Sequence, residues 1–464
     1  MSYHEKIFRA MTIADEEGLP NGLNEALVGN NTTCLPILIA ALLGPWMEPT
    51  RLVGVWIQVA ELLFYLVTLE IYLRLVWKMD FRGRAFSVFS IATLAMLFFT
   101  NGGLSDFRMD LSLGLMYGAS VLWALVARTT CASRHFFWFG FSVGVCCLFR
   151  ATAPIYLSLA LAPVALVDLW SGQGFVKRSR RRGWIRAMFI AAIACLWFYV
   201  LNFDYLYYYY FVWNTDANAK IPRLESFLHL EMVGRQLGWS FLVLVLGYGA
   251  LKIFEARAQA QSAVAAEGVE DRVTRGQVVR LMWFAAAPLV ILIGRRMGLN
   301  PFVSMPSSML IHVLVVIGIV RGAANFSLRT WKLLWVVLLV SIALALGRGL
   351  KKHIYPRYPL MAGHLQLLDA MVVDAKAHGI KSAHFASAQM MDYETSSLHS
   401  VILFDHPRAM RQGLSKLIDG ISLSPSGVMN RPAAVNWQNI KGDSDAARIR
   451  ELSAMTANQV DYLI

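Results

Sequence analysis

Long apolar stretches separated by short polar segments recur along most of this chain. A helix needs about 20 apolar residues to cross the hydrocarbon core of a bilayer. A shorter apolar run, residues 35–46, ends in Gly-Pro-Trp and predicts an interfacial or re-entrant helix. We predict ten membrane-spanning helices, at residues 52–77, 85–99, 111–127, 135–149, 151–170, 185–202, 237–254, 278–293, 301–320 and 331–346.

No apolar stretch of this length follows residue 353. Helical spacing over residues 365–378 and strand-like runs at 382–388 and 400–404 predict a small α/β domain there. We therefore predict an all-α polytopic membrane protein with a small C-terminal α/β extramembrane domain. Its predicted parts are an acidic outer-face loop with a short amphipathic helix, the transmembrane domain and the C-terminal domain, at residues 1–51, 52–348 and 349–464.

The distribution of charge predicts the orientation of the spans. The 464 residues are 57% hydrophobic and 16% charged, which is too apolar for a soluble globular protein, and the net charge is +13. Lys and Arg concentrate in alternate loops, most densely at 177–186, and the positive-inside rule places those loops in the cytoplasm. The N-terminal segment, the loop at 101–110 and the C-terminal domain then lie on the outer face. No basic segment is interleaved with exposed aromatic residues in a soluble domain, so nucleic acid is not an expected partner.

The loop before the third predicted span carries an acidic cluster at the edge of the membrane. Gly102 and Gly103 allow a tight turn, and Asp106 and Asp110 lie one helical turn apart with Arg108 between them. An aspartate here could simply cap the next helix, because a carboxylate is favourable at a helix N-terminus. Capping needs only one acid, whereas two carboxylates on one face suit a metal, a sugar or a cationic partner. Ionisable groups at this depth are costly and usually functional.

A second acidic run, at residues 15–17, lies on the predicted outer face. Alone, such a run is typical of a solvated surface. The presence of another acidic cluster on the same face makes Asp15 and Glu16 candidates for a shared site. Catalysis at a sugar carbon needs a carboxylate base near the acceptor hydroxyl and a group that neutralises the leaving phosphate.

Basic and aromatic residues supply candidates for substrate binding. Arg295 and Arg296 follow an apolar span on the outer face, and arginine binds phosphate through bidentate hydrogen bonds. Snorkelling membrane anchors are the alternative for this pair. Lys351 follows the last span on the same face. Tyr209 belongs to an aromatic belt that could also stack on a sugar or cover a prenyl chain.

Two pairs of glycines have small-xxx-small spacing within predicted spans. They are Gly114 with Gly118, and Gly140 with Gly144. This spacing lets two helix backbones approach closely, so it predicts tight helix packing without any chemistry.

The layout of the chain resembles the GT-C glycosyltransferases of the protein O-mannosyltransferase and lipid A aminoarabinose transferase type. The most specific part is Gly103-Leu-Ser-Asp-Phe-Arg-Met-Asp-Leu111, which opens a predicted membrane helix. An acidic first outer loop with a short helix at 15–46, arginines in a late outer loop and a small outer domain after the last span add to it. The resemblance covers most of residues 10–350 at the level of layout.

The resemblance implies an inverting transfer of a sugar from a polyprenyl-phosphate donor to a lipid, glycan or protein acceptor. The reaction would take place at the periplasmic face of a bacterial inner membrane, among membrane lipids. We expect no cofactor, and leave a divalent metal open. The implied catalytic residues are Asp15 or Glu16 as the base together with Asp106, and the implied substrate-binding residues are Arg108, Asp110, Arg295, Arg296, Tyr209 and Lys351.

Two alternatives to this function remain open, an inactive membrane scaffold and a transporter. The family begins with a membrane helix ahead of the first acidic loop, and this chain begins after it. Either that helix was lost or the start of the chain is wrongly placed, and loss of the helix would leave an inactive membrane scaffold whose C-terminal domain binds a partner. A transporter or flippase for a lipid-linked or anionic solute is the other alternative; it would need charges within the spans, whereas the candidate charges gather at the outer rim.

Overall fold

The structure is a computed structural model. It describes residues 3–28, 34–47, 51–95, 109–170, 175–208, 212, 227–259, 271–294, 304–349, 370, 373–374, 377–379, 382–386, 422–425 and 462–463. The helices in these ranges are α1 Tyr3–Glu16, α2 Leu19–Leu27, α3 Leu35–Leu43, α4 Arg51–Leu75, α5 Phe81–Ser90, α6 Met109–Thr130, α7 Ser133–Phe149, α8 Ala153–Trp170, α9 Phe175–Leu201, α10 Phe203–Tyr207, α11 Leu228–Gln259, α12 Asp271–Gly294, α13 Met305–Gly322 and α14 Leu328–Gly349.

The chain divides into two compact units. Residues 1–22, 40–54 and 351–464 form one unit, and residues 23–39 and 55–350 form the other. In the first unit, α1 packs closely on its neighbours in the chain: a Cβ on Gly22 would lie 2.5 Å from the Cβ of Ala14. The segment predicted as a loop with one short helix thus contains three helices, α1 to α3.

Three short strands also belong to the first unit. They are β1 Ser382–Ala386, β2 Ser422–Pro425 and β3 Tyr462–Leu463, and they form a parallel sheet in the order β2–β1–β3. β1 begins where a strand was predicted, at residue 382, while the strand predicted at 400–404 lies outside the described residues. The C-terminal α/β domain stays a prediction.

Seven of the described helices are long and apolar enough to cross a membrane, which supports an all-α membrane protein. The other three predicted spans also fall on helices of the second unit. α5 ends at Ser90 and continues as a π-helix over Ile91–Ala95, and α7, with 17 residues, is shorter than the hydrocarbon core at about 1.5 Å per residue. The seven spans are Val53–Leu75, Leu111–Thr130, Ala153–Trp170, Arg178–Leu201, Gly276–Gly294, Met305–Gly322 and Leu328–Gly347.

The helix ends beside the basic start of α9 are called the basic ends, and the opposite ends the outer ends. α6 is the central helix of the second unit, since 94% of its apolar stretch is buried, against 22% for α9.

The predicted close packing at the paired glycines of α7 is confirmed. A Cβ on Gly140 would lie 2.4 Å from the carbonyl oxygen of Ala187, and one on Gly144 would lie 2.5 Å from the Cβ of Ala194. Only glycine therefore lets α7 approach α9 this closely. The two helices form one tightly joined pair beside α6.

A proline inside α12 is compensated by a side chain from the central helix. Pro288 has no N–H and cannot bond the carbonyl four residues earlier, which belongs to Phe284. The buried hydroxyl of Tyr117, on α6, donates to this carbonyl at 2.7 Å. A neighbouring helix thus satisfies the backbone group that the proline leaves open, as the absence of water within a membrane requires.

Candidate functional site

The structure places only part of the predicted site. Asp15 and Glu16 are exposed in the last turn of α1, in the first unit. Asp110 lies in the first turn of α6, in the second unit, and its side chain is not described. Convergence of the predicted residues on one site therefore stays a prediction. The other candidates lie outside the described residues: Asp106, Arg108, Arg295, Arg296, Tyr209 and Lys351.

A buried carboxylate that the sequence analysis did not single out lies within the span of α4. Glu61 is 5% exposed, and neither of its carboxylate oxygens has a hydrogen-bond partner in the part of the chain that the structure describes. A lone carboxyl group in apolar surroundings is costly, and such residues in membrane helices usually mark a functional site. The single acid in Val59-Ala-Glu-Leu-Leu63 was the signal that could have found it.

Three helices meet around Glu61. The hydroxyl of Ser112, in the first turns of α6, lies close to the carboxyl group but outside hydrogen-bond geometry, and Cys146 of α7 also lies nearby. Tyr65 lies one turn further along α4, and Gly118 of α6 packs so closely on its ring that a Cβ would lie 2.7 Å from the ring edge. The hydroxyls of Ser112 and Tyr65 also lack hydrogen-bond partners among the described residues.

Glu61, Tyr65 and Ser112 together are called the Glu61 cluster. Ser112 follows Asp110 by two residues, so the cluster lies on the membrane side of the predicted acidic loop. Its polar atoms could accept a proton, bind a cation or hydrogen-bond a substrate hydroxyl. The expectation that charges gather only at the outer rim is therefore wrong for this residue.

A second buried polar group lies near the middle of α13. The Nδ1 of His312 donates to the carbonyl of Ser308 at 2.7 Å, and its Nε2 has no partner among the described residues. The imidazole ring stands edge-on to Phe241, with centroids 4.7 Å apart. The hydroxyl of Ser307 is likewise buried without a partner in the described ranges. α13 follows the segment that carries Arg295 and Arg296 in the sequence.

The link between α2 and α3 is fixed to the outer ends of α7 and α9. The amide N–H of Cys34 donates to the carbonyl of Leu148 at 3.2 Å, and the side-chain amide of Asn202 donates to the carbonyl of Leu27 at 2.8 Å. Burial raises the pKa of the Cys34 thiol to about 12. This thiol is therefore protonated at neutral pH and unsuited to nucleophilic catalysis.

At the basic ends, an ion-pair cluster joins α6, α8 and α9. The guanidinium of Arg128 donates to the buried carboxylate of Asp168 at 2.7 Å, and Arg180 lies 3.9 Å from its other oxygen. The indole N–H of Trp184 donates to the same carboxylate at 3.1 Å. Asp168 is thus fully engaged, and the cluster fixes the start of α9 against two neighbouring helices.

Two elongated apolar cavities open between helices of the second unit. The larger, about 880 Å³, runs between α8 and α9 from Trp184 to Tyr207. The smaller, about 530 Å³, lies between α12 and α13; it runs from Val278 and Arg321 near their basic ends to Leu289 and Ile311 in their outer halves. Both are lined almost entirely by apolar side chains, which suits hydrocarbon chains better than polar solutes.

Within the described ranges, no group of three His, Cys, Asp or Glu side chains is placed to hold a metal ion. The chemistry available there consists of the Glu61 cluster, the groups around His312 and the two apolar cavities. The chain matches no protein-family model, no curated protein and no solved structure.

Proposed function

We propose that this protein is a membrane glycosyltransferase that moves a sugar from a polyprenyl-phosphate donor to a lipid, glycan or protein acceptor. The observation that carries the proposal is the apolar cavity between α12 and α13. These two helices are joined by the segment that holds Arg295 and Arg296. A prenyl chain that lies in the cavity and extends beyond Leu289 would bring its phosphate towards these arginines, which bind phosphate through paired hydrogen bonds.

The proposed reaction proceeds with inversion. Asp15 or Glu16 takes the proton of the acceptor hydroxyl, whose oxygen forms a bond to the anomeric carbon of the sugar. The bond from that carbon to the phosphate oxygen breaks, and polyprenyl phosphate leaves with its negative charge neutralised by Arg295 and Arg296. Asp106 orients the sugar or the acceptor. A step of this kind needs no redox cofactor.

The proposal also specifies the number of spans, the membrane and the side of the membrane on which the site lies. We place ten spans in the inner membrane of a bacterium, with the site and a C-terminal α/β domain on the periplasmic side. Beyond the seven, the proposal counts as spans the three further helices that fall on predicted spans, α5, α7 and α11. The sheet of β1, β2 and β3 supports an α/β region after the last span.

The test is sugar transfer by the purified protein from a panel of polyprenyl-phosphate sugars. Asp106→Asn keeps the size of the side chain and removes its charge, so turnover should fall at least about 100-fold. Asp204→Asn is the matched control, because Asp204 is an exposed acid in α10 near the same outer ends. Transfer unaffected by Asp106→Asn would remove this residue from the site, and no transfer from any donor would count against the enzyme.

One observation favours a second candidate function, a transporter. Glu61 is an ionisable residue buried within a membrane helix, which is the feature that proton-coupled transporters require. A transporter would move protons into proteoliposomes when a membrane potential is imposed with sugar phosphates outside. Glu61→Gln would abolish this flux, while Glu70→Gln on the same helix would leave it intact. Proton flux without sugar transfer would replace the enzyme proposal.

A further inference from the structure

We propose that an anionic glycerophospholipid, from the leaflet at the basic ends, binds in the cavity between α8 and α9. This cavity is called the α8–α9 groove. The acyl chains would lie along its apolar wall, and the phosphate would contact Arg178, Arg181 and Arg182. The inference concerns a different cavity from that of the proposed donor and does not depend on the proposed function.

The α8–α9 groove has the size and surface that an acyl chain needs. Its volume of about 880 Å³ lies in the range of pockets that hold ligands. Ile185, Met188 and Leu196 line it and are each 58% exposed, so the groove is open along its side. In a membrane-spanning segment such exposed apolar side chains face lipid. A hydrocarbon chain can therefore enter from the bilayer without crossing a polar layer.

The groove wall on α9 continues into a row of arginines. Residues three and four apart share one face of a helix, and α9 is continuous from Phe175 to Leu201. Steps of three or four residues from Ile185, towards the start of α9, reach first Arg181 and then Arg178. Arg181 lies about 6 Å along the helix axis from Ile185. The row reads Arg178, Arg181, Ile185, Met188, Ala192, Cys195 and Tyr199.

The charge of these arginines is not neutralised within the described part of the chain. Arg178, Arg181 and Arg182 are exposed and make no hydrogen bond or ion pair there. The nearby acid, Asp168, is already engaged by Arg128 and Arg180. A phosphate at this position would meet several unopposed cations, each of which attracts an anionic lipid.

Trp184 joins the apolar and the charged halves of the proposed site. Its ring lines the groove, and its N–H is held by Asp168 at 3.1 Å. The end of the groove is therefore rigid, and an acyl chain lying against the indole would have its headgroup one helical turn away, at the arginines. A lipid whose headgroup carries a negative phosphate and no positive group fits this site, because its acyl chains match the apolar half and its phosphate matches the arginines.

The experiment measures which lipids the full chain retains. The protein is reconstituted in nanodiscs of phosphatidylcholine with a minority of phosphatidylglycerol of the same acyl chains, then released and weighed by native mass spectrometry. We expect a preference for phosphatidylglycerol of at least about tenfold, since each arginine contributes roughly fivefold.

The triple variant Arg178→Gln/Arg181→Gln/Arg182→Gln should reduce the preference at least about fivefold, and salt should reduce it for the unmodified protein. Arg329→Gln, an exposed cation at the basic end of α14, is the control.

A second variant tests the groove separately from the charge. Ala192→Phe would fill the groove and should remove the retained lipid, whereas Ala250→Phe, at an exposed position of α11, should not. Loss of preference in the arginine variant with retention in Ala192→Phe would overturn the groove as the site. Equal retention of the two lipids by the unmodified protein, or loss only in Ala192→Phe, would overturn the role of the arginines.

Discussion

A carboxyl group inside a membrane helix is stable only when it is protonated, hydrogen-bonded or paired with a cation. The carboxylate oxygens of Glu61 have no hydrogen-bond partner among the described residues, and its polar neighbours, Ser112 and Tyr65, have unused hydroxyls. Buried polar groups without hydrogen-bond partners raise the free energy of the folded state, and packing elsewhere must offset this cost. A cluster of this kind persists where its chemistry is used.

Replacing Glu61 by an apolar side chain of similar size should stabilise the protein. We expect Glu61→Leu to raise the free energy of unfolding by about 1–3 kcal/mol, because it removes an unpartnered polar group from apolar surroundings. Thermal unfolding in detergent, followed by tryptophan fluorescence, measures the change. Glu70→Leu, on the same helix, is the control: it breaks a half-exposed pair with Arg84 at 2.8 Å and should cost at most about 1 kcal/mol. Destabilisation by Glu61→Leu would reveal a partner in the undescribed part of the chain.

Contacts between helices, rather than propensities within them, determine how the spans fit together. α6 and α12 are linked where a side chain of one satisfies a backbone group of the other. α7 and α9 are linked where glycines remove the side chains between them. Substitutions at the two contacts should act differently, because the first contact depends on a hydrogen bond and the second on the absence of a side chain.

The hydrogen bond from Tyr117 should matter only while Pro288 is present. Tyr117→Phe would leave the carbonyl of Phe284 without a donor and should cost about 1–3 kcal/mol. In the Pro288→Ala background the restored N–H would bond that carbonyl, so the same change should cost less than half as much. A double-mutant cycle on thermal unfolding gives the coupling. Equal costs in both backgrounds would show that the hydroxyl acts through another group.

Substitution of glycine by alanine should destabilise the protein where the glycine is in close contact with another helix, but not where space is open around it. Gly140→Ala would force a Cβ to 2.4 Å from the Ala187 carbonyl oxygen and should destabilise by about 1–3 kcal/mol. Gly249→Ala makes the same change where no described atom lies within 4 Å, and should be neutral or stabilise α11 by about 1 kcal/mol. Thermal unfolding compares the pair. Tolerance of Gly140→Ala would mean that α7 can move away from α9 at little cost.

The sequence predicts these features unequally, for physical reasons. Apolar length marks the spans, and small-xxx-small spacing marks the α7–α9 contact, because both are local patterns. The partner of the Phe284 carbonyl is not readable, since Tyr117 precedes it by 167 residues and only the fold brings them together. Glu61 could have been found as the acid within an apolar stretch, but the sequence analysis considered only charged residues in the loops. The roles of the loop acids and arginines stay predictions.

At the scale of the whole molecule, the basic start of α9 predicts, by the positive-inside rule, which helix ends face the cytoplasm. α9 has 27 residues, about 40 Å at 1.5 Å per residue, so it is long enough for its two ends to lie on opposite sides of a bilayer. Arg182 and Tyr205 are exposed near these opposite ends. Their accessibility therefore reports the orientation of the entire set of spans.

Labelling should find Tyr205 outside and Arg182 inside. In right-side-out membrane vesicles, a membrane-impermeant maleimide should label Tyr205→Cys at once and Arg182→Cys only after detergent is added, because the positive-inside rule retains the basic end in the cytoplasm. The unmodified protein, whose described cysteines are all free and mostly buried, is the blank. The reverse pattern would invert the orientation and move the predicted outer site to the cytoplasm.

The bond between Tyr117 and the Phe284 carbonyl also has a mechanical consequence. A one-turn slide of α12 along α6 would break this bond and leave a carbonyl bare in the bilayer. Sliding of α12 along α6 is therefore costly. If the protein alternates between inward-open and outward-open shapes, its hinge lies elsewhere. α8 and α9 are joined by the hydrogen bond from Trp184 to Asp168 at one end of their groove, and at the other end the Tyr199 hydroxyl donates to the Ala151 carbonyl, just before α8, at 3.4 Å. Widening of the groove about the Trp184 end would therefore break the longer of these two hydrogen bonds.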